Sequence, residues 1–264
     1  MKHLNNYITE YIIKKKLDKP IYSGTSILYT PKNNGELIDL IIKLLKDGET
    51  NLNCIDVSNI KVMQNLFDYV NNDVIVDDSI DISEWNVSNV IDMTEMFTNC
   101  NKFDCDLSKW NVSKVKYMNN MFEGCKKFTG KGLENWDVSN VINMKYMFFE
   151  CENFNCDLSD WDVSKANNMD FMFYNCENFN CDLSDWDISK VKNSKFMFSK
   201  CEKFDCDLSN WNVSNITDMS FMFDGCSNFT GKNLEKWKLN EYANIDYIFS
   251  ECDKMKNKPS WYKE

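Results

Sequence analysis

The sequence predicts an α/β repeat protein, an elongated solenoid in which each short unit contributes one extended segment and one short helix. Three observations predict it. Trp85, Trp110, Trp136, Trp161, Trp186, Trp211 and Trp237 recur at steps of 25, 26, 25, 25, 25 and 26 residues. A fixed period of this length is the signature of units stacked on copies of themselves. Each Trp also opens nearly the same phrase: Trp110-Asn111-Val112-Ser113-Lys114-Val115, then Met118, Met121-Phe122, Cys125 and Phe128. With 43% apolar residues and 14% aromatics, the chain can bury a continuous core and falls outside the disordered class.

The elements follow in chain order, with a helical cap over residues 1–50 and about eight repeats, irregular at both ends, over residues 51–264. In residues 1–20, Leu4, Tyr7, Ile8, Tyr11 and Ile12 have the spacing of an amphipathic helix. Either the helix packs on the end of the stack, or Lys14, Lys15 and Lys16 carry it to a membrane surface. No secretory signal is expected there. A second cap helix starts at Asn34 as N-cap, has Glu36 in its first turn, and ends at Gly48. Leu37, Ile38, Ile41, Leu44 and Leu45 form its apolar face, which is expected to cover the Ile55 rung. Within a repeat, Trp110 and Val112 alternate as in a strand. Val115, Met118, Met121, Phe122 and Cys125 read as the buried stripe of a short helix. Neither element can bury its apolar face alone, so stacking must align Trp, Met and Phe in columns. The step from Ile55 to Trp85 is longer, and the acidic residues 73–81 are expected to bulge there as a loop.

The phrase Trp136-Asp137-Val138-Ser139-Asn140-Val141, followed by Met144, Met147-Phe148, Cys151 and Phe154, resembles the repeat of the BspA-like, DUF285 family. The resemblance covers roughly residues 29–255. It implies a right-handed, leucine-rich-repeat-like solenoid and a role in adhesion or protein binding, frequently at cell surfaces or in secreted proteins. Without a visible signal, the chain itself reads as cytoplasmic by default.

The net charge is -11, and all 30 basic residues are Lys. Without Arg, the usual bidentate reader of phosphate and guanine, nucleic-acid binding is not expected. No apolar run approaches the ~18 residues of a transmembrane helix. His3 is the sole histidine, and no P-loop, zinc-protease or nucleophile-elbow motif is present, so no catalytic residue, cofactor or metal is expected.

Two cysteine registers run through the repeats: Cys100, Cys125, Cys151, Cys176, Cys201, Cys226 and Cys252, and then Cys105, Cys156, Cys181 and Cys206, with Gly130 and Gly231 in the vacant places. They read as buried free thiols, as disulfides between neighbouring rungs, or, least, as zinc ligands. Asp106, Asp157, Asp182 and Asp207 run beside the second register and are expected to bond turn amides.

The candidate binding residues follow each Trp. Asn86, Asn111, Asp137, Asp162, Asp187 and Asn212 form one outward column, and Ser113, Ser139, Ser164 and Ser189 form another two residues on. On an exposed strand face they make a polar groove for a basic segment or hydroxylated ligand. The other reading is a solvated face whose side chains bond along the stack. The function expected is a non-enzymatic scaffold that binds a protein through this face. A surface adhesin is the alternative, and a carbohydrate-active solenoid the remote one.

Overall fold

The computed structural model describes residues 27–263; the predicted helix on Leu4 to Ile12 and the lone His3 lie outside the described residues. Helix α1 spans Asn34–Lys46. Its N-cap is Asn33, one residue before the predicted Asn34, with Asn33 Oδ1 accepting the Glu36 N–H at 3.0 Å. Leu37, Leu40, Ile41 and Leu44 are buried. The helix ends as predicted at Gly48, whose φ of +80° sets up two closing bonds, Gly48 N–H to Leu45 O (3.0 Å) and Glu49 N–H to Leu44 O (2.9 Å). α1 packs against α2, Leu66–Asp73. The Ile55 rung also pairs with Tyr29, through a parallel bridge.

The expected α/β solenoid, with a strand and a helix in every rung, does not hold. Among the described residues there are two α-helices, α1 and α2, and no strand or sheet. The chain does stack on itself, but each rung is a series of tight turns. In the rung around Trp110, N–H groups bond carbonyls three residues back: Trp110 to Leu107 (3.1 Å), Val115 to Val112 (2.8 Å), Met121 to Met118 (3.2 Å) and Cys125 to Phe122 (3.0 Å). A helix would need bonds four residues back. It is broken because Asn120 (φ +58°) and Gly124 (φ +72°) are left-handed, and nearly every rung repeats the pair. Turns of this kind bury residues i, i+3, i+4 and i+7, as a helix does.

Parallel contact between rungs survives as single bridges. One column links Val62, Asp92, Tyr117, Asn143, Asn168, Asn193, Asp218 and Asn244. It falls in the segment expected to be helical, while the Trp-x-Val segment expected to be a strand has no bridge except in the first rung, where Ile55 stands in the Trp place and pairs with Tyr29. The residues 73–81 do not bulge. Val76 and Ile80 are buried, and Asp77 and Asp81 bridge to Lys102 and Asn51.

The predicted columns form the core. The rings of Phe67, Phe97, Phe122, Phe148, Phe173, Phe198, Phe223 and Phe249 stack with successive centroids 5.0 to 5.9 Å apart. A second column, Phe103, Phe128, Phe154, Phe179, Phe204 and Phe229, packs beside it. Burying each ring contributes on the order of 1.5–3 kcal/mol. Polar atoms tie the columns together. Each Leu carbonyl three residues before a Trp accepts that Trp's N–H and the indole N–H of the next rung, as at Leu133 O from Trp136 (3.0 Å) and Trp161 (2.8 Å).

Candidate functional site

The predicted columns are brought together on one side of the stack. Asn86, Asn111, Asp137, Asp162, Asp187 and Asn212 are exposed, and Ser113, Ser139, Ser164 and Ser189 are half-buried. Each side-chain oxygen of the first column accepts the N–H of the Ser two residues on, at 3.0 to 3.2 Å. These are Asx turns, a local use that stiffens the corner after each Trp. Bonds from the Ser164 and Ser189 side chains and backbones hold the Asp162 and Asp187 carboxyls below the usual range. Asp106, Asp157, Asp182 and Asp207 do the same for Ser108, Ser159, Ser184 and Ser209. Bonds from Ser108 and Lys131 bring Asp106 to about 2.

All twelve cysteines are free, and all but Cys54 are buried. In the longer register each thiol donates to the Phe carbonyl of the preceding rung, as Cys176 does to Phe148 and Cys201 to Phe173 at 3.0 and 2.9 Å. Burial pushes these thiols far up, Cys252 to about 12. A thiol so disposed is a poor nucleophile and a poor metal ligand. In the shorter register Cys181 and Cys206 accept the Leu158 and Leu183 N–H groups at 3.0 and 3.1 Å. Among the described residues no cluster of His, Cys, Asp and Glu has the geometry to hold a metal ion.

A shallow groove of about 770 Å³ runs along another side, lined by Asp104, Lys127, Asn155, Asn180 and Lys203 among others. Its amides are spent along the stack: Asn155 Oδ1 accepts the Asn180 N–H, and Asn180 Oδ1 the Asp205 N–H, both at 3.0 Å.

The side that carries the bridge column holds a feature absent from the sequence reading. Tyr146, Phe171, Phe196, Phe221 and Tyr247 form a row of rings 4.7, 4.8, 4.5 and 4.8 Å apart. The first four are half-buried, and Tyr247 is 63% exposed. Phe149 and Tyr174 stack at 4.8 Å beside them. Lys145, Lys195 and Lys200 lie 5.1, 5.4 and 5.2 Å from the rings of Tyr146, Phe196 and Tyr174. The row occupies the left-handed position between the two Met columns, where Asn65, Glu95 and Asn120 stand in the earlier rungs. The only sequence signal is aromatic recurrence at a position outside the apolar stripe.

In those earlier rungs the same side is acidic. Burial raises the Glu123 carboxyl, with further push from Glu95, Glu150 and Asp68. Burial and then Glu95 raise Asp68. A carboxyl raised in the fold costs stability above its folded pKa, and the cost is relieved as the pH falls through it. Glu123→Gln should therefore raise the melting temperature at pH 7 and lose the gain near pH 4, where wild-type Glu123 is protonated. A gain unchanged between the two pH values would remove charge as its cause. The depressed Asx-turn carboxyls act oppositely. Their contribution is complete above the ordinary Asp value of about 3.9 and is lost as the pH falls below it. Wild-type stability should thus peak in mild acid.

A family model described as "Mycoplasma protein of unknown function, DUF285" matches residues 42–157, 129–205 and 146–262. No curated protein and no solved structure matches the chain.

Proposed function

The chain belongs to the DUF285 family, and we propose that it is a non-enzymatic repeat scaffold that binds another protein. The observation that carries this reading is the half-exposed aromatic row Tyr146, Phe171, Phe196, Phe221 and Tyr247, with Phe149 and Tyr174 alongside. Contiguous apolar surface rimmed by charge marks interaction sites, and aromatic residues are enriched in interfaces. Lys145, Lys195 and Lys200 lie against the row's rings and supply part of that charge. A rigid stack also presents its side chains with little ordering cost on binding. The absence of Arg and the lone His3 leave most acid–base and phosphoryl-transfer constellations short of parts. The Asx-turn carboxylates are already occupied by the backbone. Among the described residues, no helix is long and apolar enough to cross a membrane.

The test compares the wild type with two folded variants in affinity capture from source-cell lysate. One carries Phe171→Ser and Phe196→Ser; the other carries Asp137→Lys, Asp162→Lys and Asp187→Lys. Loss of a captured protein with the first alone supports recognition at the aromatic row. Loss with the second alone moves recognition to the column after each Trp. Capture unchanged by both overturns the proposal for the row.

A further inference from the structure

The acidic side of the early rungs and the aromatic row are one continuous face. Glu95, Asn120, Tyr146, Phe171, Phe196 and Phe221 hold the same left-handed place in successive rungs. Their backbones run in register: Glu95 N–H bonds Asn119 O at 3.0 Å, Asn120 N–H bonds Lys145 O at 2.9 Å, and Tyr146 N–H bonds Asp170 O at 2.9 Å. Asp68, Glu123 and Phe149 stand three residues on from that place, in a parallel column. Glu123 lies within electrostatic reach of both Glu95 and Tyr146, so it joins the two halves.

The halves differ in charge. Asp68, Glu95 and Glu123 are half-buried, and among the described residues none of them forms an ion pair. Further along, Lys145, Lys195 and Lys200 lie against the rings. The acids of that half are already answered. Asp170 accepts the Lys195 N–H at 3.0 Å and has Lys145 Nζ at 4.0 Å, while Asp224 and Glu150 act on Lys200.

The rings set the shape of what covers them. Neighbours in the row are inclined by only 6, 15, 4 and 17°. Each inner ring therefore has both faces against other rings and turns an edge outward. A sugar or a base, which would stack on a free face, finds none between them. Apolar side chains pack against such edges. The spacing then selects a backbone. The rings recur every 4.5 to 4.8 Å, and three residues of α-helix rise about 4.5 Å. Alternate residues of a strand advance about 6.6 Å, out of step with the rungs.

We infer that this face receives an amphipathic helix of a different protein, laid along the stack, with its apolar stripe on the rings and basic side chains at the end over Asp68, Glu95 and Glu123. The inference rests on the reading that the row binds a protein, and adds the partner's fold, charge and direction. Basic residues along the whole helix would meet Lys145, Lys195 and Lys200, so the charge is confined to one end. A second copy of the chain offers no such helix among the described residues. α1 and α2 already bury their apolar faces, and two copies of net charge -11 repel each other.

The probes are two designed helical peptides of about twenty residues, enough to span these rungs. They share one apolar stripe; one carries three lysines at an end, the other three glutamates at the same end. Each is titrated into the full-length chain by calorimetry. The lysine peptide should bind about tenfold more tightly, and lose that margin against a chain carrying Asp68→Asn, Glu95→Gln and Glu123→Gln. Phe171→Ser with Phe196→Ser, its fold checked by circular dichroism, should abolish binding of both. Equal affinities, or a margin that survives the charge variant, overturn the inference and leave the row standing as a protein site. Failure of both peptides at millimolar concentration, while the Phe variant still releases a lysate protein, does the same. If that variant releases nothing, the row itself fails. Self-association of the wild type that the Phe variant abolishes makes a second copy the occupant, and also overturns the inference.

Discussion

Trp161→Ala is expected to destabilise the chain by about 3–5 kcal/mol, the range for emptying a large aromatic site in a core. Trp161 is 3% exposed, and its indole N–H bonds Leu133 O at 2.8 Å. The Phe148 ring of the preceding rung lies 6.3 Å from it. Truncation leaves a void between rungs that are locked by their own turn bonds, so collapse into it is limited. Trp261 offers the comparison. It keeps the same indole bond, to Leu234 O at 2.8 Å, but is only partly buried and has one rung beside it. Trp261→Ala should cost less than half as much. Chemical denaturation of the two variants measures the difference, and equal midpoints would mean that position in the stack does not set the cost.

Gly132→Ala is the second large effect. Gly132 has φ +92°, and a Cβ there would lie 2.3 Å from Ser108 N and 2.6 Å from Ser108 Cα. Those are backbone atoms of the preceding rung, so relief requires the rungs to part. Left-handed strain of about 1–2 kcal/mol adds to an overpacking cost of about 1–3 kcal/mol. Gly124 has a left-handed φ too, +72°, yet its nearest contact would be the tip of Asn99 at 2.9 Å. Other rungs hold Asn99, Glu150, Asn175, Lys200 and Glu251 in that place. Gly124→Asn should therefore stay within about 1 kcal/mol of wild type. Thermal unfolding of the pair checks the claim, and similar losses would show that φ alone decides.

The columns were legible in the sequence because stacking places each residue against its own counterpart. Trp, Met, Phe and Cys positions could be counted off directly, while the choice among free thiols, disulfides and zinc ligands came only with the structure, where all twelve cysteines are free. The backbone between them was not legible. Met118, Met121, Phe122 and Cys125 have one spacing whether a helix or successive turns carry them. The deciding feature, left-handed φ at Asn120 and Gly124, sits on residue types that vary from Asn and Gly to Tyr146 and Phe171. The packing of the whole stack forces bulky residues into that conformation, which no local propensity announces. For the same reason the aromatic row escaped notice. Its positions look like the solvent side of a helix, and turns bring them into one line.

The two ends of the stack also differ in what holds them, and this gives the molecule a direction of failure. At one end α1 and α2 seal the first rung with apolar side chains and a side-chain bond to Gln64 O. At the other, among the described residues, only Trp261 and Tyr262 lie over the Trp and Phe columns of the last rung. In a linear array of this kind, stability is a sum of unit and nearest-neighbour contributions. Opening should start at Tyr247 and advance toward the N-terminus one rung at a time. Amide protection should therefore rise as a gradient from the C-terminal rung inward. A pulling force applied to the C-terminus should meet a ladder of small, similar steps, with the firmest resistance at the sealed end.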